Sequence, residues 1–460
     1  MTPTPTPTAP RPGRPQPDAA VLDPAVLAAA DARLAGTDAL LATAYPGEDG
    51  SRQPVHTVYV PGHRFDAGTV AAWGEQARDA VARFGGAEAM TAALGLGERS
   101  AAVASRIDAK LAREPIEDLR IDFEDGYGPR PDEDAEVVAA ATALARTVND
   151  GTAPPFVGIR FKCFEAPTRH RGIRTLDLFL GTLLEHGPLP DGLRLTLPKV
   201  STVDQVAVMV DVCAAFEQTA GLPPGRLGFE IQVETPQLIL AADGSCPLAP
   251  ALHAGGGRVT GLHYGTYDYS ASLQIAAAHQ SMEHPAADHA KQVMQLVAAG
   301  TGVQLSDGST NVLPVGSRDQ VLAAWRLHHR LVRRSLERGF YQGWDLHPAQ
   351  LPTRYAANIA FWTEDFDAAA ARLAAYVGRT GGGVLDEPAT ARALARYLYR
   401  GYQCGATDAE QLTAATGLGP DALGALARPR SDTENVDLPP TGRATPGAAG
   451  ADPTDQEDHR

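Results

Sequence analysis

The chain has 460 residues, with 55 acidic against 40 basic side chains and a formal net charge of −15. That balance argues against a nucleic-acid partner, because such binding leaves a basic footprint on the protein. Cys163, Cys213, Cys246 and Cys404 lack CxxC spacing, which fits neither a zinc ribbon nor a disulfide framework. No apolar run approaches the eighteen or more residues of a membrane span.

Residues 1–17, MTPTPTPTAPRPGRPQP, form a Pro/Thr tail that cannot bury apolar surface and is expected to be disordered. Arg11 and Arg14 are not followed by the apolar stretch of a secretory signal, so the expected location is cytoplasmic. From 18 to 350, strand-like runs alternate with Ala-rich helical segments. The runs are VHTVYVP (55–61), LRIDFED (119–125), FVGIRFK (156–162), LRLTLPK (193–199), RLGFEIQVET (226–235), RVTGLHYG (258–265), GVQLSD (302–307) and GWDLHP (343–348). Eight strands alternating with helices predict an α/β fold, the TIM (β/α)8 barrel.

The phase within the strands supports closure. In RLGFEIQVET, Leu227, Phe229, Ile231 and Val233 share one face, and Glu230, Gln232 and Glu234 share the other. LRIDFED places Arg120, Asp122 and Glu124 together, and FVGIRFK places Arg160 opposite Val157, Ile159 and Phe161. An open doubly wound sheet needs strands that are apolar on both faces. The polar sets are therefore expected inside a barrel. Residues 351–428 read as a C-terminal helical extension, and 429–460, rich in turn formers, as a second disordered tail.

Active sites of such barrels lie at the carboxyl ends of the strands. This rule selects Asp122, Glu124, Asp125, Arg160, Lys199, Glu234, Asp268 and His347, with His63 and Arg64 just beyond the first strand. Two carboxylates from adjacent strand ends, Glu234 and Asp268, can share one hard cation such as Mg²⁺ while leaving positions open for substrate. On spacing alone the preferred reading of the same two residues is as helix caps or ion-pair partners. His63 and Arg64 are candidates for receiving an anionic substrate group, with surface salt bridging as the alternative. His347 suits a substrate-binding role and a structural one equally. His279, His284 and His289 are each five residues apart and point in different directions on a helix, which favours solvated side chains over a zinc site.

The segments VYVPGHRFD, IDFEDGYGPR, GIRFK, LPKV, IQVETPQ, LHYGTYDYS and GWDLHPAQL occur in the order seen in the HpcH/HpaI aldolase and citrate lyase β-subunit superfamily. The chain resembles that superfamily, to which malyl-CoA lyases and malate synthases are related, over roughly residues 55–400. The resemblance implies that Glu234 and Asp268 are metal ligands for Mg²⁺, with Mn²⁺ as an alternative. It implies that Arg160 binds a substrate carboxylate or keto oxygen and steadies an enolate. Asp122, Glu124 and Asp125 match the acidic motif beside the metal, Lys199 matches the lysine of the PK motif, and Asp386 in GGGVLDEPATARAL matches a catalytic base. In such relatives that last segment comes from a neighbouring subunit, which implies a homo-oligomer.

The implied activity is carbon–carbon lyase or aldolase chemistry on a small keto or hydroxy carboxylic acid. The acidic GYGPRPDEDAE, in place of a basic segment, weakens the case for a CoA thioester, and CoA use stays open. Two rivals stand beside this reading. Lys199 is the candidate for a Schiff-base mechanism, although alternation with Leu195 and Leu197 points it outward. The other rival is a catalytically silent barrel that binds a metabolite or assists a partner.

Overall fold

The computed structural model describes residues 22–378 and 388–428. Eight parallel strands follow the predicted order: β1 (Thr57–Pro61), β2 (Asp118–Asp122), β3 (Phe156–Arg160), β4 (Leu193–Leu197), β5 (Phe229–Val233), β6 (Val259–Tyr264), β7 (Gln304–Ser306) and β8 (Trp344–Asp345). Neighbours in sequence are neighbours in the sheet, and β8 returns to pair with β1 through Thr57 opposite Trp344. Between β7 and β8 the ring is completed by a bridge from Ser306 to Gln342 and by the Asp307 N–H donating to the Gln342 carbonyl at 2.9 Å. The architecture is the (β/α)8 barrel that the alternation predicts.

The lumen is polar and packed. Glu230 of β5 accepts from Arg120 of β2 at 2.7 and 3.1 Å, and from Thr196 of β4 at 2.6 Å. His263 Nε2 of β6 lies 3.1 Å from the same carboxylate. Burial alone would raise the Glu230 pKa, but Arg120 and His263 hold the carboxyl well below its ordinary range. Opposite, Phe229, Ile231 and Val233 are fully buried under the surrounding helices. A charge buried in the lumen is tolerable only when paired in this way.

The helix Leu351–Glu364 belongs to the barrel's own core, where Leu351, Tyr355, Ala356, Ile359, Ala360 and Trp362 are buried. Its Arg354 and the barrel residues His56 and His328 converge on Asp345 of β8, at 2.9 to 3.1 Å. A separate apolar cluster links the helices Phe366–Val377, Pro388–Gln403, Ala409–Thr416 and Pro420–Ala427 through Ala370, Leu373, Ala395, Leu398, Leu412 and Leu423. The described residues up to Pro46 form a distinct unit. Its helix Pro24–Ala44 starts at an Asp23 cap that accepts from the Ala25 N–H at 2.8 Å, with proline in the first turn. Among the described residues no helix is long and apolar enough to cross a membrane.

Candidate active site

The site begins where β2 ends. Asp122 Oδ1 accepts from the Glu124 N–H at 3.0 Å and Oδ2 from the Gly126 N–H at 2.8 Å, which folds the chain into a tight acidic turn. A Cβ at Gly126 would lie 2.5 Å from Asp122 Oδ2, so the turn needs glycine there. Arg160, at the end of β3 and opposite Asp122 in register, donates to both carboxylate oxygens at 2.7 Å. Its remaining Nη1 lies 3.4 Å from Glu124 Oε2, and its plane stacks 4.7 Å above the Tyr59 ring. Burial opposes the Arg160 charge, yet Asp122 and Glu124 more than restore it and push its pKa up. Both oxygens of Asp122 are thus committed, and its visible work is to hold Arg160 and the turn. Lys162 adds a second tie, donating to the Phe123 carbonyl at 2.9 Å and to Glu133 at 2.6 Å.

Lys199 departs from expectation. Strand alternation points it outward, but β4 stops at Leu197, and Lys199 after Pro198 takes φ +52°, a left-handed value rare for a residue with a side chain. That reversal turns the side chain inward. Its ammonium pairs with Glu124, lies 2.6 Å from Asp125 Oδ2 and reaches to 3.6 Å from Asp268 Oδ2. Its backbone N–H donates to Glu234 Oε1 at 2.7 Å. Backbone strain of this kind, of order 1–3 kcal/mol, persists where the surroundings over-determine it.

Glu234 follows β5 directly and is 1% exposed, and Asp268 sits half-buried in the first turn of the helix Thr266–Ser272. Between them in sequence, Gly265 leaves room: a Cβ there would lie 2.6 Å from Glu234 Oε2. Burial pushes the Glu234 carboxyl up to about 8; Lys199 opposes the shift, and Asp268 and Glu124 add to it. Asp268 is raised too, by burial first and by Asp125. Five carboxylates, Asp122, Glu124, Asp125, Glu234 and Asp268, therefore face two cations, Arg160 and Lys199. Such an excess of negative charge, built of hard oxygen donors, suits a small divalent cation. Among the described residues no three donor side chains already form a metal cage. One or two carboxylates with waters and substrate oxygens are how Mg²⁺ is commonly held.

The other predicted residues stand apart from this network. His63 packs 5.7 Å from the Tyr127 ring, with its pKa lowered by burial and then by Arg130 and Arg64, and Arg64 itself is exposed. His347 uses Nδ1 to accept from the Ala349 N–H at 3.1 Å and caps the following turn, and burial lowers its pKa. His284 caps a helix in the same manner. Asp386 lies outside the described residues. Sequence reasoning passed over Tyr59 and Lys162. Tyr59 shares the inward phase of β1 with Thr57, and Lys162 shares that of Arg160 in the run FVGIRFK, so the alternation that selected Arg160 also selects both.

Among solved structures, a citrate lyase from Burkholderia xenovorans LB400 matches at a TM-score of 0.51 and 19% identity, over 82% of this chain and 97% of that one. A Haloferax volcanii malate synthase in a magnesium/glyoxylate complex matches at 0.45 and 15% identity, over 81% of this chain and 97% of that one. An HpcH/HpaI aldolase/citrate lyase family protein from Burkholderia cenocepacia J2315 matches at 0.37 and 15% identity, over 65% of this chain and 90% of that one. No curated protein matches the chain. The fold is like that of the Burkholderia xenovorans citrate lyase, as the order of the motifs implies. Residues 34–431 match a single family model, and the chain belongs to that family, described as "Domain of unknown function (DUF6986)".

Proposed function

We propose that the protein is a Mg²⁺-dependent carbon–carbon lyase of the aldolase and citrate lyase type, acting on a small keto or hydroxy carboxylic acid. The observation that carries this reading is the carboxylate excess at the strand ends, where Glu234 and Asp268 both have raised proton affinity beside only two cations. Glu234 and Asp268 would hold Mg²⁺, or Mn²⁺, which when bound supplies Lewis-acid polarisation of a substrate carbonyl or carboxylate oxygen.

The chain's own residues then divide the remaining work. Arg160, immobilised by the Asp122 fork and the Tyr59 face, presents a fixed positive charge where a substrate carboxylate or a developing enolate oxygen can be bound. Because the guanidinium is already oriented, little reorganisation accompanies the reaction. Glu124 and Asp125 hold the Lys199 ammonium close to Asp268, where it offsets part of the surplus charge. Asp386 is the proposed base that moves the substrate proton, from its own or a neighbouring subunit.

The same geometry disfavours a Schiff base on Lys199. Burial works against its charge, but Glu234, Glu124 and Asp125 outweigh it and push the lysine pKa up, so the amine stays protonated and cannot attack a carbonyl. The test is Mg²⁺ titration by calorimetry together with turnover of a panel of 2-oxo and hydroxy acids, free and as CoA thioesters. Asp268→Ala is expected to abolish both binding and turnover while the circular dichroism spectrum is unchanged. Unaltered binding and turnover in that variant would defeat the proposal.

A further inference from the structure

At the opposite, amino-terminal end of the barrel lies a cavity of about 250 Å³ that the lyase reading does not use. It is bordered by Gln304 and Leu305 at the start of β7, by Glu48 to Gln53 upstream of β1, and by Arg396, Arg400 and Arg428 of the C-terminal helices. Its volume falls just below the ~300–1,000 Å³ of pockets for drug-sized ligands, which fits a small metabolite. Arg396 and Arg400 are four residues apart on the helix Pro388–Gln403 and so project from one face. Gly50, at φ +80°, brings the backbone close to the Arg428 side chain: a Cβ there would lie 2.7 Å from Arg428 Nε.

The arginines are only partly satisfied. Glu48, exposed on its loop, places one carboxylate between two of them, with Oε1 3.1 Å from Arg400 Nη2 and Oε2 3.5 Å from Arg396 Nε. Arg400 Nη1 is nevertheless a buried atom without a hydrogen-bond acceptor among the described residues, and buried Arg396 Nε has only that long contact to Glu48. Arg400 is also stacked 4.2 Å over the Tyr341 ring, which fixes the plane of its fork. A buried guanidinium N–H without an acceptor is costly. The other nearby acid, Asp49, accepts from the Ser51 N–H at 2.7 Å; its pKa is lowered first by the Ser51 side chain and also by Arg428, whose charge it partly balances. A convergence of three arginines stands out in a chain of net charge −15.

We propose that this cavity binds a small dicarboxylate, with Glu48 as an intramolecular carboxylate that the ligand displaces. One ligand carboxylate would take the place of Glu48 on Arg396 and Arg400 and satisfy the idle N–H groups. The second would face Arg428 on the other wall. The site is independent of the catalytic one, since its residues lie at the far end of the strands.

The experiment is calorimetric titration of the full chain with malonate, succinate and glutarate, in EDTA without Mg²⁺, with acetate and inorganic phosphate alongside. Arg400→Gln is expected to weaken dicarboxylate binding by about tenfold or more, through loss of charged hydrogen bonds. Glu48→Gln is expected to tighten it by about fivefold or more, because removing an internal competitor raises the fraction of open sites. A gain of affinity cannot arise from misfolding, so the second variant protects the first. Asp268→Ala is expected to bind as the native chain does, which separates this site from the barrel mouth. No binding by any dicarboxylate overturns the proposal, as does binding indifferent to both variants, or acetate or phosphate bound equally well with the same dependence.

Discussion

Asp122→Asn tests whether the acidic turn exists to hold Arg160. The aspartate is 1% exposed and the arginine 6%, and their two bonds are both 2.7 Å. Substitution leaves the guanidinium facing one oxygen and one NH2 group, with Glu124 Oε2 at 3.4 Å as its remaining charged partner. Breaking one side of a buried pair costs about 3–5 kcal/mol, chiefly as the penalty of an uncompensated charge. Domains of this kind have ~5–15 kcal/mol in hand, so the variant is expected to remain folded with a much lower urea midpoint. Arg160→Met alone is expected to cost less than Asp122→Asn, because Asp122 keeps the two backbone N–H donors of Glu124 and Gly126. The double variant removes both charges and is expected to be more stable than the sum of the singles by at least ~2 kcal/mol. Chemical denaturation of the four proteins closes the cycle. Costs that add to within ~0.5 kcal/mol would refute the pairing as the purpose of the turn.

Three other outcomes follow from the geometry. Borohydride with each 2-oxo acid of the panel is expected to leave the intact mass unchanged, since Lys199 is held as an ammonium by Glu124 and Asp125; a mass increment lost in Lys199→Met would restore the imine route. Gly265→Ala would force a Cβ to within 2.5 Å of the Glu234 Cβ, so it is expected to weaken Mg²⁺ binding at least about tenfold while the helical circular dichroism persists, and native affinity would contradict the crowding argument. Glu217 accepts from Arg258 at 2.6 and 2.8 Å and from the Leu227 and Gly225 N–H groups at 2.7 and 3.0 Å; burial would raise its pKa, yet these partners bring it from 4.5 down to about 2. Its depressed folded value means a stabilisation complete above pH 4.5 and lost as pH falls toward 2, so Glu217→Gln should be destabilised by ~1.5–3 kcal/mol at pH 7 and match the native chain at pH 2, with an equal gap at both pH values counting against it.

The sequence by itself determined the barrel and the end of it at which the candidate residues gather. Side-chain alternation is a local property with period two, so Glu230, Gln232 and Glu234 of one run had to share a face, and the polar character of that face required a closed ring. The carboxyl-end rule then placed Asp122, Arg160, Glu234 and Asp268 at one mouth, where the structure has them. Tertiary structure decided who holds whom. That Asp122 spends both oxygens on Arg160 follows from the β2 and β3 register, which sets the two residues opposite each other. Lys199 was misplaced by the same alternation because the rule ends with the strand: at φ +52° one residue reverses the side-chain direction. The distal arginines escaped notice for a related reason. Arg396 and Arg400 meet Glu48, and Arg428 lies against Gly50, across more than three hundred residues of chain, contacts that only packing creates.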